Sequence, residues 1–228
     1  MKIKVITIAS TLAITLMTSA FADTFNVLGT SNPWLAGMPD DSTFPGDGMP
    51  FEFLNFAPGD LLKFSASGSA GYQAGAESGP DGVPGYDLSN SPANNISGIM
   101  HSQANALIAV FLNGTEPDLD SGATPDTLDF GPGGLTLDYS TLTPSLRQMF
   151  YIGDGLTSTN DQQTIVAPNG ATRLFVGMND GSGWYNNTGS FDVTVKGNTQ
   201  VVPEPTAFAL IAAGIGALAL VRRRNQRA

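Results

Sequence analysis

From Ser190 to Lys196 the chain alternates: Phe191, Val193 and Val195 are apolar, and Asp192, Thr194 and Lys196 lie between them. A period of two sends the first three to one face of an extended strand and the others to the opposite face. Shorter apolar or alternating runs occur at Thr24–Leu28, Leu61–Ser67, Ala106–Leu112, Gln148–Ile152, Thr164–Ala167 and Arg173–Met178. Gly, Pro, Asn, Asp and Ser punctuate the intervals between them, as turns require. Before Thr206 no long segment follows the 3.6-residue period of a helix. The pattern predicts an all-β domain, a β-sandwich of jelly-roll or lectin-like type. Trp34–Pro50, Ala74–Ser97 and Glu116–Gly134 read as long connections, which in compact domains are commonly functional or mobile.

The two ends follow different rules. Lys2 and Lys4 precede an apolar stretch from Val5 to Leu16, and Ala20-Phe21-Ala22 supplies small residues at the cleavage-defining positions. That order is the signature of a secretory signal peptide, residues 1–22, removed by signal peptidase before Asp23. At the other end Pro203-Glu204-Pro205 is a stiff tripeptide that resists helix. Thr206–Val221 then carries no charge, and Arg222-Arg223-Arg224 follows with Arg227 behind. As a helix this apolar run would be roughly 24 Å long, short of the ~30 Å hydrocarbon core, although arginine stems can snorkel across the difference. Residues 206–221 are thus expected to form a single transmembrane helix, with the basic tail 222–228 on the cytoplasmic side.

The order Pro-Glu-Pro, apolar helix, arginine cluster resembles the PEP-CTERM sorting signal, also known as an ice-binding-protein C-terminal domain. The resemblance implies recognition of residues 203–228 by an exosortase and cleavage near Pro203-Glu204-Pro205. It further implies a transient membrane anchor and delivery to the cell surface or extracellular matrix of a Gram-negative bacterium.

Between these signals lies a body of residues 23–200. Its only cations are Lys63, Arg147, Arg173 and Lys196 against nineteen acids, a formal charge of −15. Phosphate binding requires cations, so nucleic acid is excluded as a partner and anionic lipid is disfavoured. Divalent cations are the natural counter-charge of such a body. The chain has no cysteine, so it folds without disulfides. Its one histidine, His101, excludes a metal site built on several imidazoles and is expected to be structural. Asp118-Leu119-Asp120-Ser121-Gly122 begins like a calcium loop but lacks the third carboxylate and the distal glutamate. No pair of carboxylates is marked out for catalysis, and the body is expected not to be an enzyme.

The stretch Gly170–Val195 carries the most chemistry. A strand ends at Asn179-Asp180, a Gly/Ser turn follows, and Trp184-Tyr185-Asn186-Asn187 leads into the final strand. Asp180, Asn186 and Asn187 therefore stand on one short loop, where three side-chain oxygens can converge as Ca²⁺ requires. A polar hairpin that satisfies its own backbone is the other outcome. Trp184 and Tyr185 could stack on a sugar face or plug the core.

This stretch resembles the C-terminal calcium loop of the PA-IL-like galactose-binding lectins: Asp at a strand end, a Gly-containing turn with an aromatic residue, Asn-Asn, then Thr188-Gly189-Ser190-Phe191 and an alternating strand. The resemblance implies Asp180, Asn186 and Asn187 as side-chain ligands of Ca²⁺. It adds backbone carbonyls from Trp184 and from Tyr72, the latter in Ala66-Ser67-Gly68-Ser69-Ala70-Gly71-Tyr72, and two sugar hydroxyls to complete the shell. Carbohydrate would contact Asp180, Trp184, Tyr185 and Asn186. The Asp180–Asn186 loop is one residue shorter than in those lectins, no histidine lies between Tyr72 and Gly98, and the segment from Thr115 to about Ser145 has no counterpart there.

The expectation is a surface-sorted sandwich that binds extracellular polysaccharide with calcium, and the alternative is a structural surface or biofilm-matrix protein without a sugar site. The mature chain is expected to run from Asp23 to near Pro205. Intact mass from the native host measures this, and Arg222–Arg224 retained in the extracellular form would contradict it.

Overall fold

The computed structural model describes residues 18–39 and 46–200. The leader up to residue 17 and the whole sorting signal, including Pro203–Pro205, the apolar run and Arg222–Arg224, lie outside the described residues. The chain divides into two compact units, one of residues 1–19 and 200–228 and the other of Ala20–Thr199. The second unit is the body. Among the described residues no helix is long and apolar enough to cross a membrane.

The body is all-β, and the seven strands expected from the sequence are all present. They are β1 (Thr18–Leu28), β3 (Leu61–Gly71), β6 (Leu107–Leu112), β9 (Met149–Tyr151), β10 (Thr164–Val166), β11 (Arg173–Met178) and β12 (Thr188–Gln200). Five shorter ones join them: β2 (Phe51–Phe53), β4 (Asp87–Asn90), β5 (Ile99–Gln103), β7 (Leu128–Asp129) and β8 (Thr141–Leu142). Two segments read as loops therefore hold strands, β4 within Ala74–Ser97 and β7 within Glu116–Gly134.

The strands form a five-stranded sheet in the order β1-β12-β3-β10-β8 and a four-stranded sheet in the order β2-β11-β6-β9. A small third sheet runs β4-β5-β7. One continuous core takes residues from the two larger sheets, as a sandwich-like arrangement would. Phe64, Phe191, Val193 and Val195 enter it from the first, and Leu107–Leu112, Leu174, Val176 and Phe150 from the second. All six residues of β6 are buried, so that strand is covered on both faces. This explains its unbroken apolar run.

The longest pairing joins β3 to β12, antiparallel from Thr188↔Gly71 to Asn198↔Leu61. Gly189 in β12 has φ of +76°, and a Cβ there would strike the Ser69 carbonyl. On the other edge β12 meets β1. The Thr24 and Thr194 hydroxyls bond at 2.9 Å, and the Gly29 amide donates to the Gly189 carbonyl at 3.0 Å. β1 begins upstream of the expected cleavage point, so cutting before Asp23 would shorten it and remove Phe21, whose ring lies 6.0 Å from that of Phe53.

His101 stands inside β5. Its φ is +52°, and its Nδ1 lies 2.7 Å from Asp129 Oδ1. Asp120 is committed to local structure: Oδ1 accepts from the Gly122 amide and Oδ2 from Asn113 Nδ2.

Phe191 is wholly buried, with Val193 and Val195, while Asp192 and Lys196 are exposed, so the alternation faces as the sequence requires. Phe191→Ala is expected to cost about 3–5 kcal/mol, a large share of the ~5–15 kcal/mol that holds a domain folded. Thermal melting measures this, and an unchanged midpoint would contradict the facing of β12.

Candidate functional site

The site is built where β11 hands over to β12. β11 ends at Met178, and Asn179 and Asp180 follow, both buried. Gly183 takes the left-handed conformation, φ +76°, and opens a single 3₁₀ turn over Trp184–Asn186. The turn is tied back to the strand it left, because the Trp184 indole Nε1 donates to the Met178 carbonyl at 2.8 Å. The Trp184 ring lies 5.8 Å from that of Trp34, which belongs to a second 3₁₀ turn, Pro33–Leu35. Trp184 is thus a buried floor, whereas Tyr185 beside it is 60% exposed.

Asp47 locks the two turns together. Its Oδ1 accepts from the Tyr185 amide at 2.9 Å, and its Oδ2 from Asn32 Nδ2 at 3.1 Å. Behind the loop, two fully buried asparagines act as a brace. The Asn105 amide donates to the Asn179 carbonyl at 2.8 Å, while Asn105 Oδ1 accepts from the Tyr72 amide at 3.0 Å. Asn90 of β4 reaches across to donate to Asn179 Oδ1 and to the Asp180 carbonyl. The side chains that hold the loop therefore come from remote segments of the chain, and the loop is preorganised.

Of the sequence-predicted ligands, the structure brings Asp180 and Asn187 together. The Asn187 side chain lies beside the Asp180 carboxylate. Asp180 is 9% and Asn187 6% exposed. Asp180 Oδ1 accepts from the Gly181 amide, and Asn187 Nδ2 donates to the Gly29 carbonyl at 2.9 Å. Asp180 Oδ2 and Asn187 Oδ1 are left buried without a hydrogen-bond partner. Tyr72 follows Gly71, the partner of Thr188 at the end of the β3–β12 pairing, and its amide donates to Asn105 Oδ1. Asn186 is exposed on the outside of the turn, and the Trp184 carbonyl accepts from the Asn187 amide at 3.1 Å.

A buried acceptor without a donor costs about 1–3 kcal/mol. Two oxygens in this condition, one of them a carboxylate's, fit a cation with oxygen preference. Among the described residues no group of three or more His, Asp and Glu side chains gathers for a metal. A cation here would rest on one carboxylate, amide oxygens and carbonyls, which is a calcium-type donor set.

Alongside the loop runs a cleft of ≈ 650 Å³ lined by Asn32, Trp34, Asp47, Asn90, Asn94 and Tyr185, with the Gly181–Gly183 backbone on one wall. It combines an aromatic floor with amide and carboxylate groups, as a site for a polar ligand with an apolar face would. No local sequence signal marks Asp47, Asn90 and Asn105, because their contacts with the loop are all long-range. Only their density in Gly/Asn/Asp-rich connections hints at a role.

Burial pushes the Asp180 carboxyl above its ordinary 3.8, and the nearby Asp47 charge adds to the rise. The Gly181 amide, donating to Oδ1, offsets part of it. The folded protein thus holds this proton more tightly than the unfolded chain. The stabilisation is complete below the ordinary value and is lost as pH rises through the raised one. In chelator, wild type is expected to lose melting temperature over that rise, and Asp180→Asn to lose less. Identical pH profiles would contradict the assignment.

A search of curated proteins finds no match to the chain. Residues 201–225 match the PEP-CTERM protein-sorting motif, so the chain carries the signal by which exosortase recognises an exported protein destined for the cell surface or extracellular space.

Proposed function

We propose that the exported body is a non-catalytic, lectin-like module that holds one Ca²⁺ at Asp180 and Asn187 and binds extracellular polysaccharide there. The observation that carries this reading is the pair of buried, unpartnered oxygens, Asp180 Oδ2 and Asn187 Oδ1, on a braced loop beside the cleft. The −15 body has few cations of its own to meet them.

Asp180 supplies the one formal charge and Asn187 a neutral oxygen. The Tyr72 and Trp184 carbonyls and the Asn186 amide complete the proposed donor set. Bound calcium would accept two vicinal hydroxyls of a sugar, a geometry that water and monodentate alcohols match poorly. The chain's own residues do the rest: Trp184 forms the floor, Tyr185 offers an exposed ring, and Asp47 and Asn90 fix the walls. The acidic body disfavours anionic glycans, so a neutral polysaccharide is the substrate class.

Titration calorimetry with Ca²⁺ tests the reading. Wild type is expected to give a saturable heat, and Asp180→Asn, which keeps shape and loses charge, to lose most of the affinity. A hundredfold excess over Kd corresponds to about 2.7 kcal/mol of stabilisation. Wild type should therefore melt several degrees higher in calcium than in chelator. A glycan array run with and without chelator identifies the sugar. No calcium heat, or equal heat in both proteins, would favour the scaffold alternative.

A further inference from the structure

Tyr72 and Tyr86 form a partly exposed aromatic pair that is joined through Asn105 and Asn90 to the Asp180 loop. Their ring centroids are 6.5 Å apart and their planes only 16° from parallel, with the residues 38% and 55% exposed. Tyr72 follows the end of β3, and Tyr86 precedes β4. Both backbones are fixed to one turn: the Tyr72 amide donates to Asn105 Oδ1 at 3.0 Å, and the Ala104 amide to the Tyr86 carbonyl at 3.0 Å. That same turn is bonded through Asn105 to Asn179, the residue before Asp180. On β4, Leu88 faces Gly181, and Asn90 holds the Asp180 carbonyl. The backbones of both tyrosines are therefore tied to the frame that positions Asp180, while their rings pack on each other.

The stacked pair keeps part of its aromatic surface in water, where a ligand with an apolar face can cover it. Two rings are too small for a protein partner, whose interface needs about 800 Å² on each side. They do suit flat, amphipathic rings whose C–H faces stack on aromatics while their hydroxyls stay wet. Glu77, which accepts from the Thr188 hydroxyl, and Asp87, next to Tyr86, put negative charge beside the pair. Anionic chains would be repelled. We infer that Tyr72 and Tyr86 are a stacking platform for consecutive sugar rings of a neutral polysaccharide that runs on from the Asp180–Asn187 site. The inference rests on the proposed carbohydrate binding, with the tyrosines extending the contact beyond one sugar.

Affinity electrophoresis of the mature body through gels containing a neutral galactomannan or a carboxylated polygalacturonate tests the platform. Tyr86→Ala, Tyr86→Phe and wild type are compared, with melting temperature and calcium calorimetry run alongside. The galactomannan is expected to retard wild type and Tyr86→Phe, and Tyr86→Ala to bind roughly tenfold more weakly with its calcium heat and melting unchanged. Equal retardation of Tyr86→Ala and wild type would overturn the platform while leaving the carbohydrate reading intact. Retardation by polygalacturonate alone would overturn the assignment to neutral chains. Calcium heat without retardation in either gel would overturn the platform and the sugar together, leaving the cation site.

Discussion

The antiparallel pairing of β3 with β12 is the constraint on which the rest of the body depends. Its register runs unbroken from Thr188↔Gly71 to Asn198↔Leu61. A slip of one residue would turn Phe191, Val193 and Val195 out of the core and Asp192 into it. The same pairing ends at Thr188↔Gly71, so the strand pair that builds the core also delivers the loop that precedes Thr188. Gly189 belongs to this logic: its left-handed backbone and its contact with the Ser69 carbonyl leave no room for a side chain where the loop joins the strand.

The site then follows from a conflict between burial and polarity. The core needs Trp184 as a plug, and tying its indole to Met178 forces the 3₁₀ turn that buries Asp180 and Asn187. Their neighbours answer two of their four side-chain polar atoms with backbone partners and leave Asp180 Oδ2 and Asn187 Oδ1 without any. Unsatisfied buried oxygens are destabilising, so a cation that met both would stabilise the folded state. The site lies at the Thr188 end of β12, and the sorting motif follows the other end of that strand in sequence.

Much of this was legible in the sequence, for physical reasons. Strands that bury one face announce themselves by alternation, as β12 does, and the fully covered β6 by its apolar run. β4 (Asp87–Asn90) and β7 (Leu128–Asp129) were not, because a short strand on a small peripheral sheet buries little and needs no apolar pattern. In the site, the Asp180…Asn186-Asn187 spacing was visible since all three lie on one loop. Only the folded arrangement separates buried Asn187 from exposed Asn186, or assigns Trp184 to the floor and Tyr185 to the surface. Asp47, Asn90 and Asn105 reach the loop from segments far away in the sequence, and such contacts leave no local signature.

Whether Asp180 Oδ2 and Asn187 Oδ1 share one bound cation is the question on which the function turns. A crystal structure of the mature body grown in calcium answers it directly through the anomalous signal at that position. The predicted result is a calcium peak in contact with both oxygens. A water molecule donating to both of them, with no anomalous peak, would contradict it.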